Sequence, residues 1–314
     1  MPPPITIALA SYNGAAYLPT QLESFRAQSE ADWNLLVSDD GSNDATRDQL
    51  EGFIAGLPVG RGRLIEGPKA GSTRNFLHLT AAADPEHWLA YSDQDDKWLP
   101  EKLGRARAFL ADKTGPAIYA ARTTICDEEL NILAPAPAFT RPLTFRNALI
   151  QACLPGNTIV ANAPALRLLQ EAAPAAAAAG VVSHDWWAFQ LLSAAGAAIK
   201  RDRAQVLLYR QHGRNLMGRN DTPRAKAARL SLLGNGTFAE WLDANQAALE
   251  PVAHLMTAEN RALLARFRKA RDKSGAATAK DFLAMGLYRQ TRLGTLAVLA
   301  AASAGRLAPR QAAV

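Results

Sequence analysis

Apolar and polar positions alternate along the first half of the chain in blocks. Ile5–Ala10 is apolar but for Thr6 and is stopped by Ser11-Tyr12-Asn13-Gly14. An aliphatic run of that length predicts a strand. Roughly Ala16–Ala27 then follows the helical period, and Trp33–Ser38 predicts a second strand, closed by Asp39-Asp40-Gly41-Ser42. The pattern continues with a helix over Ala45–Ile54, a strand over Gly60–Glu66 and a helix over Asn75–Ala82. A strand over Trp88–Ser92, a helix over Pro100–Ala111 and a strand over Ala117–Thr123 complete it. Strands alternating with helices of this length predict an α/β fold with a mainly parallel sheet flanked by helices, and ligands at the carboxyl ends of its strands. Three polar clusters, after the first, second and fourth strands, fall at that one edge.

The second half is more mixed. Asn157–Ala161 and Ala197–Tyr209 read as extended, and Asp185–Ala195 as a helix. Ala172–Ala179 is alanine-rich, a helix end or a linker. From Arg224 onward the pattern predicts helices joined at Gly234-Asn235-Gly236 and Ser274-Gly275. No internal repeat is visible.

The 314 residues, 48% of them apolar, suffice for one large domain with an appendage or for two domains, and argue against disorder. The net charge of +6 is uneven. Residues 224–314 hold 14 Lys and Arg against 6 Asp and Glu, whereas the rest is slightly acidic. A basic C-terminal region suits an anionic lipid or an acidic partner; no nucleic-acid motif accompanies it. Cys126 and Cys153 form no C-x-x-C or metal spacing, and the start has no signal-peptide pattern, so a cytoplasmic location is expected.

Chemistry concentrates in Ser92-Asp93-Gln94-Asp95-Asp96, where three carboxylates crowd the end of a predicted buried strand. Like charges so close repel, and hard oxygen donors on a short loop suit Mg²⁺ or Mn²⁺. The competing reading is a solvated acidic turn. Asp39-Asp40-Gly41-Ser42-Asn43-Asp44 has the same ambiguity: a ribose or base contact, or a turn with Asp44 capping the next helix.

Five motifs occur in order: S-Y-N-G-x-x-Y-L from Ser11, V-S-D-D-G-S-N-D-x-T from Val37, Y-S-D-Q-D-D-K-W-L-P from Tyr91, H-D-W-W from His184 and Y-R-Q-H-x-x-N from Tyr209. The ordered set resembles the family-2 glycosyltransferases, which have a GT-A-type nucleotide-sugar fold, and within them the rhamnosyltransferase-like enzymes of bacterial surface polysaccharide synthesis. The resemblance covers about residues 4–216. It implies a GT-A-type catalytic domain over 1–220 and a basic helical C-terminal extension over 221–314.

The resemblance also implies roles. Ala10, Tyr12 and Asp40 match positions holding the donor's base and ribose. Arg74 and Asn75 fall near its nucleotide and diphosphate. Asp93, also on the nucleotide side, and Asp95 match the D-x-D pair, with Asp95 the more direct metal ligand and His212 completing the site. Asp185 matches the catalytic base. Trp98, Gly156, Asn157 and Trp186 are expected around the sugar or acceptor. The implied donor is dTDP-L-rhamnose or a UDP-sugar, the cofactor Mg²⁺ or Mn²⁺, and the acceptor a saccharide or lipid-linked saccharide. Each residue has a plainer reading: His184-Asp185 as an N-cap pair, Trp186 and Trp187 as core, His212 as a strand-end residue, Gly156-Asn157-Thr158 as a turn.

Many family members carry Glu-Asp where this chain has His184-Asp185. No Q-x-x-R-W motif is present, so transfer of one or a few sugars is expected rather than processive synthesis. A sugar nucleotidyltransferase would need a G-x-G-x-R loop after the first strand, where S-Y-N-G stands. A decayed, non-catalytic scaffold would be expected to lose metal or base positions, and all are retained. Finally, Leu293–Ala304 is apolar, too short to span a bilayer, and flanked by Arg289, Arg292, Arg306 and Arg310. It could lie on the inner face of an anionic membrane, or pack on the catalytic domain or dimerise with its arginines solvated.

Overall fold

The computed structural model describes residues 2–213, 231–273 and 275–310. Its strands are β1 Ile5–Ser11, β2 Trp33–Asp39, β3 Gly62–Glu66, β4 Trp88–Ser92, β5 Lys97–Trp98, β6 Ala117–Cys126, β7 Ile132–Pro135, β8 Val160–Ala161 and β9 Ala198–Arg210. Its helices include α1 Leu18–Arg26, α2 Thr46–Ala55, α3 Ser72–Ala82, α4 Lys102–Leu110, α5 Phe145–Ala148, α6 Ala163–Ala179 and α7 His184–Ala194. They continue with α8 Thr237–Leu249, α9 Ala258–Arg271, α10 Ala276–Ala284 and α11 Arg292–Ser303.

The chain divides into two units. The first comprises residues 1–138, 154–173 and 197–219. The second takes 139–153 and 174–196 as well as everything from 220 onward, so the units do not follow chain order.

The first unit holds one sheet in the order β3-β2-β1-β4-β8-β6-β9-β5, with β7 beside β6. β1 pairs parallel with β2 and β4, and β2 with β3. Beyond β4 the sheet is mixed: β8 runs antiparallel to β4 and β6, while β6 and β9 are parallel. β1 is buried at every residue, whereas the edge strand β3 is half-exposed. The core gathers Ile5, Ile7 and Leu9 with Phe25, Leu35, Val37 and Trp98. Because β2 lies on one side of β1 and β4 on the other, the chain reverses its direction of winding between β1 and β4. In open α/β sheets that reversal opens the crevice where ligands bind.

The second unit is helical. Trp186, on α7, stacks on Phe238 of α8 and meets Trp241 edge-on. Arg271 of α9 is fully buried; its guanidinium donates to Asp243 at 2.6 Å and to the carbonyls of Ala239 and Leu307. A buried guanidinium is tolerated because its donors are so engaged. Among the described residues no helix is long and apolar enough to cross a membrane.

Candidate functional site

The three polar clusters do meet at one end of the sheet. Ser11 stands opposite Asp39 in the β1–β2 register, and Ser92 opposite Leu9 in the β1–β4 register. The loops leaving β1 and β2 are knitted to each other by their own side chains. Asn13, in the left-handed region at φ 46°, accepts from Asn43 N on its Oδ1, and its own N donates to Ser42 Oγ. Gly14 N donates to Thr46 Oγ1, and Ala15 N to Asp44 Oδ2. Asp44 also accepts from Thr46 N at 3.0 Å, a local turn just ahead of α2, whose N-cap is Ala45 and not the expected Asp44. Hydrogen bonds from Thr46 and Ala15 hold its carboxyl below the usual carboxylate value, against the opposing pull of burial.

The two carboxylates ending β2 divide the work. Asp39 is shut off from solvent and accepts from Ser11 Oγ (2.9 Å), Ser42 N (2.9 Å) and Ser42 Oγ (2.6 Å). Asp40 accepts from the backbone N–H groups of Lys69 (2.6 Å) and Gly71 (2.8 Å), fixing the loop after β3. Gly67 comes so near that a Cβ there would lie 2.7 Å from Asp39 O. Ala10 is nearly buried at the end of β1, while Tyr12 just beyond is 56% exposed. Arg74 is exposed in the first turn of α3. Its neighbour Asn75 is buried and donates to Ser38 O, so it braces β2 and does not face solvent.

The acidic loop after β4 contains three differently placed carboxylates. Asp95 Oδ2 lies 2.8 Å from His212 Nε2. His212 stacks on Tyr17, centroids 4.6 Å apart, and Tyr17 Oη donates to Glu128. Arg210 donates from Nε to Asp95 O, and from Nη1 to Glu128 O. Asp96 is fully buried and accepts from Asn157 Nδ2 at 2.6 Å and from Arg210 N. Burial pushes its carboxyl well above the usual value, and the charges of Asp95 and Asp93 push the same way. Asp93 is partly exposed. Between them, Gln94 clamps the peptide of Tyr12: Tyr12 N donates to Gln94 Oε1 and Gln94 Nε2 donates to Tyr12 O, both at 2.9 Å.

Lys102, at the start of α4, is also fully buried. Its Nζ donates to Asn157 O at 2.8 Å and lies over the Trp98 ring. Burial lowers its pKa well below the usual value, against the attraction of Asp96 and Asp93.

These placements revise part of the expected set. Trp98, Asn157 and Gly156 are buried under the acidic loop, and Trp186 is buried in the second unit with its Nε1 donating to Ala148 O at 2.7 Å. The closed-off side chains of Trp98, Asn157 and Trp186 do not line an open pocket; tryptophan suits both core and sugar, and the burial of these two tryptophans favours the core reading. Asp185 is in the first turn of α7 and accepts from Trp186 N at 2.7 Å. His184 beside it is buried, which depresses its pKa to about 4 despite the opposing charge of Asp185. Gln94, Lys102, Tyr17, Glu128 and Arg210 were not anticipated. Gln94, Tyr17 and Arg210 carried a signal, since all three fall inside the ordered motifs.

Among the described residues no three His, Cys, Asp or Glu side chains form a ready metal cage. The chemistry of the donors nevertheless fits a divalent ion: Asp95 and His212 are already in contact, and Asp93 is on the same loop. Carboxylate oxygens with one imidazole suit Mn²⁺ or Mg²⁺ among the common ions.

Residues 6–168 match the family described as Glycosyl transferase family 2. The dTDP-rhamnosyl transferase RfbG of Shigella flexneri is 28% identical over 239 residues, covering 72% of this chain and 79% of its own. A UDP-Glc:alpha-D-GlcNAc-diphosphoundecaprenol beta-1,3-glucosyltransferase, WfgD of Escherichia coli, is 28% identical over 32% of this chain and 38% of its own. Among solved structures, S. aureus TarS 1-349 with UDP-GlcNAc superimposes with TM-score 0.53 at 15% identity, over 89% of this chain and 88% of that one. The mannosyltransferase PcManGT of Pyrobaculum calidifontis, with GDP-Man and Mn²⁺, gives 0.53 at 18% identity over 96% and 86%. These likenesses place the fold among GT-A-type glycosyltransferases.

Proposed function

The chain belongs to glycosyl transferase family 2 and is a glycosyltransferase; from that premise we propose that it is an inverting, metal-dependent enzyme of cell-surface polysaccharide synthesis, moving one sugar from a nucleotide-diphospho-sugar to a hydroxyl. The observation that carries this reading is the contact of His212 with Asp95, which brings the last motif of the sequence onto the D-x-D loop at the crevice beside β1. The similarity to RfbG favours dTDP-L-rhamnose as donor, with a UDP-sugar as the alternative. The name of WfgD, which gives a GlcNAc-diphosphoundecaprenol acceptor, favours a lipid-linked saccharide as acceptor, with a saccharide as the alternative.

In this reading Tyr12 offers its exposed ring to the base, and Asp40 and Ala10 border the base and ribose. Arg74, exposed at the start of α3, meets diphosphate charge. Asp93, Asp95 and His212 would hold Mg²⁺ or Mn²⁺, which when bound would offset the charge growing on the leaving diphosphate. Asp185 accepts the proton of the acceptor hydroxyl as its oxygen bonds to the anomeric carbon and the bond to the diphosphate breaks. Attack opposite the diphosphate inverts the anomeric centre.

The C-terminal helices support peripheral contact with an anionic membrane. Leu283, Leu293 and Leu296 are exposed, with Lys280 and Arg292 exposed beside them in sequence. The donor reading is tested by calorimetric titration with dTDP, UDP and GDP, each with and without Mn²⁺. Binding of one nucleotide that tightens with metal is the expected result and selects the donor's base. No binding under any condition would overturn the donor-site reading.

A further inference from the structure

β1 and β4 are parallel neighbours whose backbone pairing stops at Leu9↔Ser92. Beyond it the chains diverge, one into Tyr12-Asn13-Gly14 and the other into the acidic loop. The carboxamide of Gln94 bridges this gap. Its Oε1 accepts from Tyr12 N and its Nε2 donates to Tyr12 O, each at 2.9 Å, so a side-chain amide makes both bonds that a neighbouring strand would make. The opposite wall is shaped to admit it. A Cβ at Gly14 would lie 2.1 Å from Gln94 Oε1 and 2.3 Å from its Cδ. Gly14 is therefore required for clearance, and its N–H is held by Thr46 Oγ1, which keeps that wall in place.

Gln94 lies between Asp93 and Asp95, and its partner Tyr12 carries the exposed ring. We propose that Gln94 is a positioning residue that couples the base subsite to the metal subsite, so that ordering one orders the other. The inference rests on the donor-site reading above. A shift of the Tyr12 peptide breaks both bonds to Gln94, and Gln94 shares its short loop backbone with Asp93 and Asp95. Metal and nucleotide should therefore bind cooperatively, each raising affinity for the other by the same factor.

The test is the ratio of the Kd for dTDP, UDP or GDP without metal to that with Mn²⁺, measured by calorimetry on the full chain. Wild type, Gln94→Ala, Gly14→Ala and the double variant are compared, with thermal midpoints recorded for each. Removing a group that orients metal ligands typically costs about 10–100-fold in metal affinity. The ratio should accordingly fall by about tenfold or more in Gln94→Ala. Gly14→Ala should lower it similarly by expelling the carboxamide. Added to Gln94→Ala, it should change nothing further, because the atoms it strikes are gone. A wild-type ratio in both single variants overturns the coupling while leaving the donor site intact, and so does a change confined to the thermal midpoints. Failure of the wild type to bind any of the three nucleotides overturns the donor-site reading and this inference with it.

Discussion

Asp185 opens α7 with its Oδ1 accepting from Trp186 N, a bond an asparagine oxygen can also accept. Asp185→Asn should therefore keep the fold and nucleotide binding. As the proposed base it should lose transfer by roughly 10²–10⁴-fold, the usual worth of general-base catalysis; near-normal turnover in a radiolabelled-sugar assay would remove it from that role. Its neighbour His184 has its pKa depressed from 6.5 to about 4 by burial. The unfolded chain then takes up this proton first, so the stability contributed is complete above pH 6.5 and is lost as pH falls toward 4. The full loss is about 3 kcal/mol at 1.36 kcal/mol per unit. Denaturant titrations at pH 7 and 4.5 should show a smaller drop for His184→Gln than for wild type. At this scale the sequence is readable where polarity is out of place. Asp40, Asp93, Asp95 and His212 stand at strand ends, and the structure brings Asp95 and His212 into contact. It is unreadable where a side chain's type misleads: Lys102 looks solvent-facing and is buried, and Gln94 looks like a spacer.

The strand ends depend on close backbone approach at one point. Gly67 N donates to Asp39 O at 2.7 Å, and a Cβ at 67 would meet Asp39 O at 2.7 Å and Asp40 Cα at 2.8 Å. Both contacts are backbone and cannot swing aside. Gly67→Ala should destabilise by about 1–3 kcal/mol, the usual cost of overpacking, read from a denaturant midpoint. The same displacement should loosen Asp40 from Lys69 N and Gly71 N. Elements with a long, clear period were legible: β4 falls at Trp88–Ser92 as predicted, and β1 and β2 differ by one residue at the end. β6 and β9 were foreshadowed by the stretches read over Ala117–Thr123 and Ala197–Tyr209, whereas β5 and β8, at two residues each, are too short to show a period. The strand expected over Asn157–Ala161 begins instead as a 3₁₀ turn over Gly156–Thr158, with only Val160–Ala161 in the sheet. The alanine-rich stretch proved to be the end of α6, which continues through Pro174.

For the molecule as a whole, charge is the property most easily tested. The excess of basic residues from Arg224 onward, with Leu293 and Leu296 exposed on α11, should draw the protein to phosphatidylglycerol vesicles at low salt. Co-sedimentation should weaken as ionic strength rises and in Leu293→Ser/Leu296→Ser. Indifference of the full chain to such vesicles at low salt would end the membrane reading. The break in charge near residue 224 was visible in the sequence; the recruitment of 139–153 and 174–196 into the second unit was not, because it depends on packing between distant segments. That packing gives the last helices a particular vulnerability. Arg271 holds Leu307 O on one side and Asp243 on the other, and Arg310 N donates to Asp243 Oδ2. A chain shortened to end before Leu307 should therefore unfold at a lower denaturant concentration than one that keeps Leu307 and Arg310. The loss should be partial, since Leu307 supplies only one of the acceptors of this buried guanidinium and Asp243 and Ala239 supply others.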